Sequence, residues 1–258
     1  MSNMCYWSVA DGKHGKMIET TIRSARRVGV TESFHVWSDK TVDGSITHMT
    51  GPFDKRHYLF KFKFLKQIAA ITDFKYYVFL DADTYFVRHP GDVLRVLYGA
   101  PVHGHLESDC TYAGNTRKDW WGCPLPTYVQ LIKESGVNSN GIFNINAGFW
   151  IVHRDAIDTF VYLAMTFWNY CKSKGFQFTE EAPLAYAIHM LCGNPYQHTL
   201  LRNSDLWASD WTGNFKDRLP DGTDWDFTDY MSGDLISVNP SIVHAMRSKE
   251  ALLNASIK

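Results

Sequence analysis

Apolar positions along the chain alternate between two periods. Residues 4–10 read as a strand, and Met17, Ile18, Thr21, Ile22 and Ala25 then recur at helical spacing within a helix over 16–28. Strands follow at 33–38 and 45–49, and a helix at 57–71. Next comes Tyr76-Tyr77-Val78-Phe79-Leu80, an unbroken apolar and aromatic run that stops at Asp81-Ala82-Asp83. Such a run reads as a strand buried on both faces, whose carboxyl end opens into a crevice. Beyond it the pattern predicts a helix at 90–97, a strand at 102–106, a helix at 125–135, a strand at 143–153, a helix at 156–172 and another at 180–191 that stops at Gly193. Residues 206–231, dense in Trp and Asp, read as loop. Strand and helix alternating in this way predict an α/β fold with one mainly parallel sheet and helices on both faces.

Composition narrows the classes of function. The 258 residues, 45% hydrophobic and 15% aromatic, suit one domain over 1–258, with a first half to residue 110 and a second over 111–258. Lys and Arg total 26 against 27 Asp and Glu, so no global field draws in nucleic acid or an anionic membrane, and anionic ligands must be held locally. The first ten residues resemble no export signal, and no apolar segment approaches the ~20 residues of a membrane span, so a cytoplasmic location is expected. Cys5, Cys110, Cys123, Cys171 and Cys192 lie far apart and are odd in number, the pattern of free thiols in a reducing compartment.

Chemistry concentrates at the acidic pair. If Asp81 and Asp83 share one side of an extended segment, their repulsion is on the order of 4 kcal/mol at ~4 Å and intermediate dielectric, which a cation would remove. Capping of the following helix, or pairing with Arg88, is the structural alternative. A second Asp-x-Asp, Asp224-Trp225-Asp226, has no apolar run before it and reads as solvated loop.

Five further segments fall in a telling order around the pair. They are Val9-Ala10-Asp11-Gly12; the lysines of Phe60-Lys61-Phe62-Lys63-Phe64-Leu65-Lys66; Asn144-Ile145-Asn146-Ala147-Gly148-Phe149-Trp150; Thr179-Glu180-Glu181-Ala182; and His244-Ala245-Met246-Arg247-Ser248-Lys249. Together they resemble the nucleotide-sugar glycosyltransferases of the GT-A fold, most closely glycosyltransferase family 8, the retaining group of glycogenin and the lipopolysaccharide galactosyltransferases. The closing segment departs from that family's His-x-x-Gly-x-x-Lys-Pro-Trp: it has no Gly, one residue fewer between His and Lys, and no Pro-Trp.

The resemblance implies a single Rossmann-like sheet with a smaller acceptor-side lobe. It implies that Asp81, Asp83 and His244 bind Mn²⁺ or Mg²⁺, and that Ala10, Asp11, Lys63, Asp81, Ala82, Asp83, Ala147, Gly148, Arg247 and Lys249 contact a nucleoside-diphosphate sugar, UDP-linked by preference. Glu181, Glu180 and Asn146 would then face the reacting centre. The residues keep their structural alternatives: Asp11 could cap the first helix, the lysines could form a solvated face, Gly148 could mark a bulge, the two glutamates suit a helix dipole, and His244 could be a core histidine.

The activity implied is transfer of the sugar to a carbohydrate or glycoconjugate acceptor with retained anomeric configuration. Trp207, Trp211, Trp225, Phe227 and Tyr230, interleaved with Asp205, Asp210 and Asp224, could form a sugar-stacking platform or a lid that buries its own aromatics; Trp120 and Trp121 pose the same choice. The alternative function is a glycan-binding protein that kept the fold and lost catalysis.

Overall fold

The computed structural model describes residues 3–51, 58–91, 99–115, 118–193, 200–201, 204–210, 225–228 and 235–254. The chain runs β1 (Met4–Val9), α1 (Lys13–Arg27), β2 (Phe34–Ser38), β3 (Ile46–Met49), α2 (Phe60–Ile71), β4 (Tyr76–Leu80) and β5 (Thr84–Phe86). It continues through β6 (Val102–Asp109), a hairpin of β7 (Asp119–Trp120) and β8 (Cys123–Pro124), α3 (Leu125–Glu134), β9 (Phe143–His153), α4 (Ile157–Ser173) and α5 (Glu181–Cys192). The last part holds β10 (Leu200–Leu201), β11 (Trp207–Ser209), β12 (Trp225–Thr228), β13 (Leu235–Val238), β14 (Ile242–His244) and α6 (Lys249–Asn254).

Seven strands form the main sheet, in the order β10-β6-β9-β4-β1-β2-β3. All neighbours are parallel except β9, which runs antiparallel to both β4 and β6. This is the mixed α/β architecture, with a mainly parallel sheet, that the alternation predicts.

Strand periodicity divides the core into two. Cys5, Trp7, Tyr77, Phe79, Trp150 and Val152 pack on one face with α2, α4 and α5. Met4, Tyr6, Val78, Leu80, Phe149 and Ile151 pack on the other with Met17, Ile18, Ile22 and Ala25 of α1. Both faces of the central strands are therefore covered, which is why β4 reads as a continuous apolar run. In β9 the alternation slips: Ala147 belongs to the first face, Phe149, two residues on, to the second, and Trp150 again to the first. The pairing shows the cause, for Gly104 lies opposite Trp150 whereas the next residue, His105, lies opposite Asn146. Residues 147–149 form a bulge, of the kind that re-aims side chains beside a site.

A second sheet, β11-β14-β5, joins the late part of the chain to the segment just after the acidic pair. The expectation of loop over 206–231 is corrected here: β11 and β12 lie within it, because Trp207 and Ala208 are fully buried and pair with β14. Most of the helix expected at 90–97, together with Trp211, Asp224 and Tyr230, lies outside the described residues. All five cysteines are free thiols, and no described helix is long and apolar enough to cross a membrane.

Candidate metal centre and active site

Backbone contacts set the acidic pair in place. The Asp81 N–H donates to the Gly148 carbonyl at 2.9 Å, tying the end of β4 to the bulge of β9. From α1, the Thr21 hydroxyl reaches the carbonyl of Thr84 at 2.7 Å and that of Ala82 at 3.1 Å. Ala82 turns into the α1-side core, and the acids on either side of it converge on His244.

Pairing of β14 with β5 delivers that histidine. His244 lies opposite Thr84 in an antiparallel register, and the Ala245 N–H donates to the Asp83 carbonyl at 2.8 Å. His244 Nε2 thereby sits 3.2 Å from Asp83 Oδ1 and 3.8 Å from Asp81 Oδ2. One ligand atom from each of the three residues lies within 4.8 Å of the others. Ligands at ~2.1 Å around an octahedral cation are about 3 Å apart at adjacent vertices, so these separations and this oxygen-and-imidazole set fit one divalent ion. Gly148 makes the approach feasible: a Cβ there would stand 2.5 Å from His244 Cε1 and 2.6 Å from its Nδ1.

Two lysines neutralise the rim. Lys249, at the start of α6, reaches Asp83 Oδ2 at 2.7 Å. Lys61 on α2 donates to Asp81 Oδ1 at 2.9 Å and to Glu180 Oε1 at 2.7 Å. Burial opposes the charge on both ammonium groups, but the carboxylates outweigh it and hold both pKa values above the usual lysine range. Asp83 shows the converse: burial alone would raise its pKa, yet His244 and Lys249 hold it below the usual carboxylate range.

Beyond Lys61 the acids crowd together. Burial raises the pKa of Glu180 despite its lysine, and burial with the charges of Glu107 and Glu180 raises that of Glu181 further. Glu181 Oε2 accepts from the Trp121 indole N–H at 2.7 Å. Asn146 donates to Glu107 Oε2 at 3.0 Å while its Oδ1 accepts from the Gly148 N–H at 2.9 Å, so the bulge fixes the amide's orientation.

Several expected residues stand elsewhere. Lys63 is exposed on the outer face of α2, and the lysine that meets the acidic pair is Lys61. The helical period explains the difference: Lys61 shares the buried face with Leu65 and Ile68, four and seven residues on, a signal already present in the sequence. Arg247 is exposed. Ala10 is buried at the end of β1, and Asp11 follows at the same sheet edge as Asp81; its carboxylate lies 3.3 Å from His14 Nδ1, and its carbonyl accepts from the His14 N–H at 2.9 Å. Trp207 is fully buried and stacks on Phe149, so it is core and not a platform. Asp210 is buried too, accepting from Ser248 Oγ at 2.7 Å. Glu107 has no counterpart among the expected residues; its trace in the sequence is the polar content, His103, His105, Glu107 and Ser108, of a strand buried over Val102–Ser108.

No protein-family model matches the sequence, and no curated protein does. The function therefore rests on the site's own chemistry.

Proposed function

We propose that this chain is a metal-dependent glycosyltransferase of GT-A type, moving a sugar from a nucleoside-diphosphate sugar, UDP-linked by preference, to a carbohydrate or glycoconjugate acceptor with retention. The observation that carries the reading is the convergence of Asp81, Asp83 and His244 at one end of the sheet, with Lys249 on its rim. Two carboxylates and an imidazole suit Mn²⁺ ahead of Mg²⁺, and such an ion, when bound, supplies Lewis acidity toward a leaving diphosphate.

The chain's own residues account for the rest. As the bond from the anomeric carbon to the phosphate oxygen breaks, its electron pair leaves with the diphosphate, and Lys249, half-exposed on the rim, is the cation that can exchange Asp83 for the growing phosphate charge. The sugar carbon becomes oxocarbenium-like, the acceptor hydroxyl oxygen bonds to it on the face the diphosphate leaves, and that hydroxyl's proton passes to the departing phosphate oxygen. Glu181 and Glu180, whose burial favours the neutral carboxyl, and the oriented Asn146 amide supply oxygen lone pairs for the oxocarbenium-like cation. Lys61 keeps Asp81 and Glu180 close despite their like charge.

Calorimetric titration with UDP and GDP, with and without Mn²⁺, tests the reading. Binding that requires the metal and disappears in Asp83→Asn supports it. A correctly folded protein that binds neither nucleotide in the presence of Mn²⁺ is not a glycosyltransferase of this type.

A further inference from the structure

Trp121 occupies the tip of the β7–β8 hairpin with φ of 50°, in the left-handed region that non-glycine residues avoid at a cost on the order of 1–3 kcal/mol. Among the described residues one other non-glycine does so, Tyr58 at φ 55°, and it too is an exposed aromatic of the site, with Lys61 Nζ 5.6 Å from its ring. Trp7, Trp120, Trp150 and Trp207 are buried, whereas the Trp121 side chain is 56% exposed. An indole left open to water is not there to fill a core. Its N–H is committed to Glu181 at 2.7 Å, which fixes the ring's orientation beside the carboxylate.

An apolar ring face next to a carboxylate matches a pyranose, whose C–H face stacks on an aromatic while its hydroxyls donate to carboxylate oxygens. The diphosphate-neutralising Lys249 lies at Asp83; Trp121 is reached through Glu181 and the Glu107–Asn146 side of the site. We infer that Trp121 is the acceptor platform, stacking the sugar ring that receives the transferred residue and presenting its hydroxyls to Glu181. The inference rests on the transferase reading above and adds the residue that selects the acceptor.

The test labels the full-length protein with 5-fluorotryptophan, assigns Trp121 from the Trp121→Phe variant, and titrates methyl hexopyranosides, lactose, maltose and cellobiose in the presence of diamagnetic Mg²⁺ and UDP. The Trp121 ¹⁹F resonance is expected to move with at least one saccharide and to stay in place with Mg²⁺ and UDP alone. Trp121→Ala should weaken that saccharide's binding about tenfold, and Trp121→Phe, which keeps a stacking ring but loses the bond to Glu181, only a few-fold. Nucleotide affinity with Mn²⁺ should be the same in all three proteins.

Three outcomes overturn the platform: a silent Trp121 resonance with every saccharide, unchanged saccharide binding in Trp121→Ala, or equal losses in Ala and Phe, which would reduce Trp121 to a prop for Glu181. Failure of the transferase reading looks different. The wild type would then bind no nucleotide with Mn²⁺, whatever the saccharides do.

Discussion

At Gly148 a single methyl group decides whether His244 can reach the acidic pair. The missing Cβ leaves room for the imidazole, and an added one would lie 2.5 Å from it. Gly148→Ala is expected to displace His244 and weaken Mn²⁺ binding at least tenfold by calorimetry while the protein still folds. Unchanged affinity would remove His244 from the ligand set. Lys61 gives a second expectation at this scale. It is the buried counter-charge of two carboxylates, so Lys61→Ala should destabilise the metal-free protein by about 3–5 kcal/mol in denaturant titration. Of these residues the acids, Gly148 and His244 were legible in the sequence as types in order. The period of α2 turns Lys61 inward and Lys63 outward, so the resemblance and the period point to different lysines.

Among the elements, β14 matters most to the site. It is three residues long, yet its pairing with β5 carries residue 244 back to residues 83 and 84 and places Lys249 just beyond. The turn between β14 and α6 is held by Ser248 bonding to the buried Asp210. Asp210→Ala would leave that hydroxyl unpaired, with an expected loss of about 1–3 kcal/mol in stability. Because the same turn carries Lys249, nucleotide affinity in the presence of Mn²⁺ should fall with it. Wild-type affinity in this variant would uncouple the turn from the site. Short strands of this kind are poorly visible in sequence, since three apolar residues have no period to read. That is why the stretch around β11 and β12 reads as loop in the sequence.

For the whole molecule, the packed core sets a limit on acid stability. His189 and His35 are both 3% exposed. Burial lowers each pKa to about 4, with His48 adding to the shift at His35. In the unfolded chain both would titrate near 6.5, so between these values the unfolded state binds more protons and stability falls as pH falls. The contribution is present above pH ~6.5 and is lost progressively toward pH ~4, roughly 3 kcal/mol for each histidine. Urea midpoints measured at pH 7.5 and pH 5 should therefore drop at the lower pH in the wild type, and drop less in His189→Gln. An equal drop in both would assign the acid sensitivity to other groups.

Local pattern by itself determined the strand-and-helix alternation, the two-faced burial of β4 and the abrupt arrival of two acids at its end. Each of these depends on neighbours within a few residues, where period and residue type are sufficient physics. Only the tertiary structure decided that β9 reverses and bulges at residues 147–149, that Glu107 joins the acids, and that His244 comes within 3.2 Å of Asp83. Those facts come from pairing between strands that are distant in the chain, and a linear pattern does not carry it.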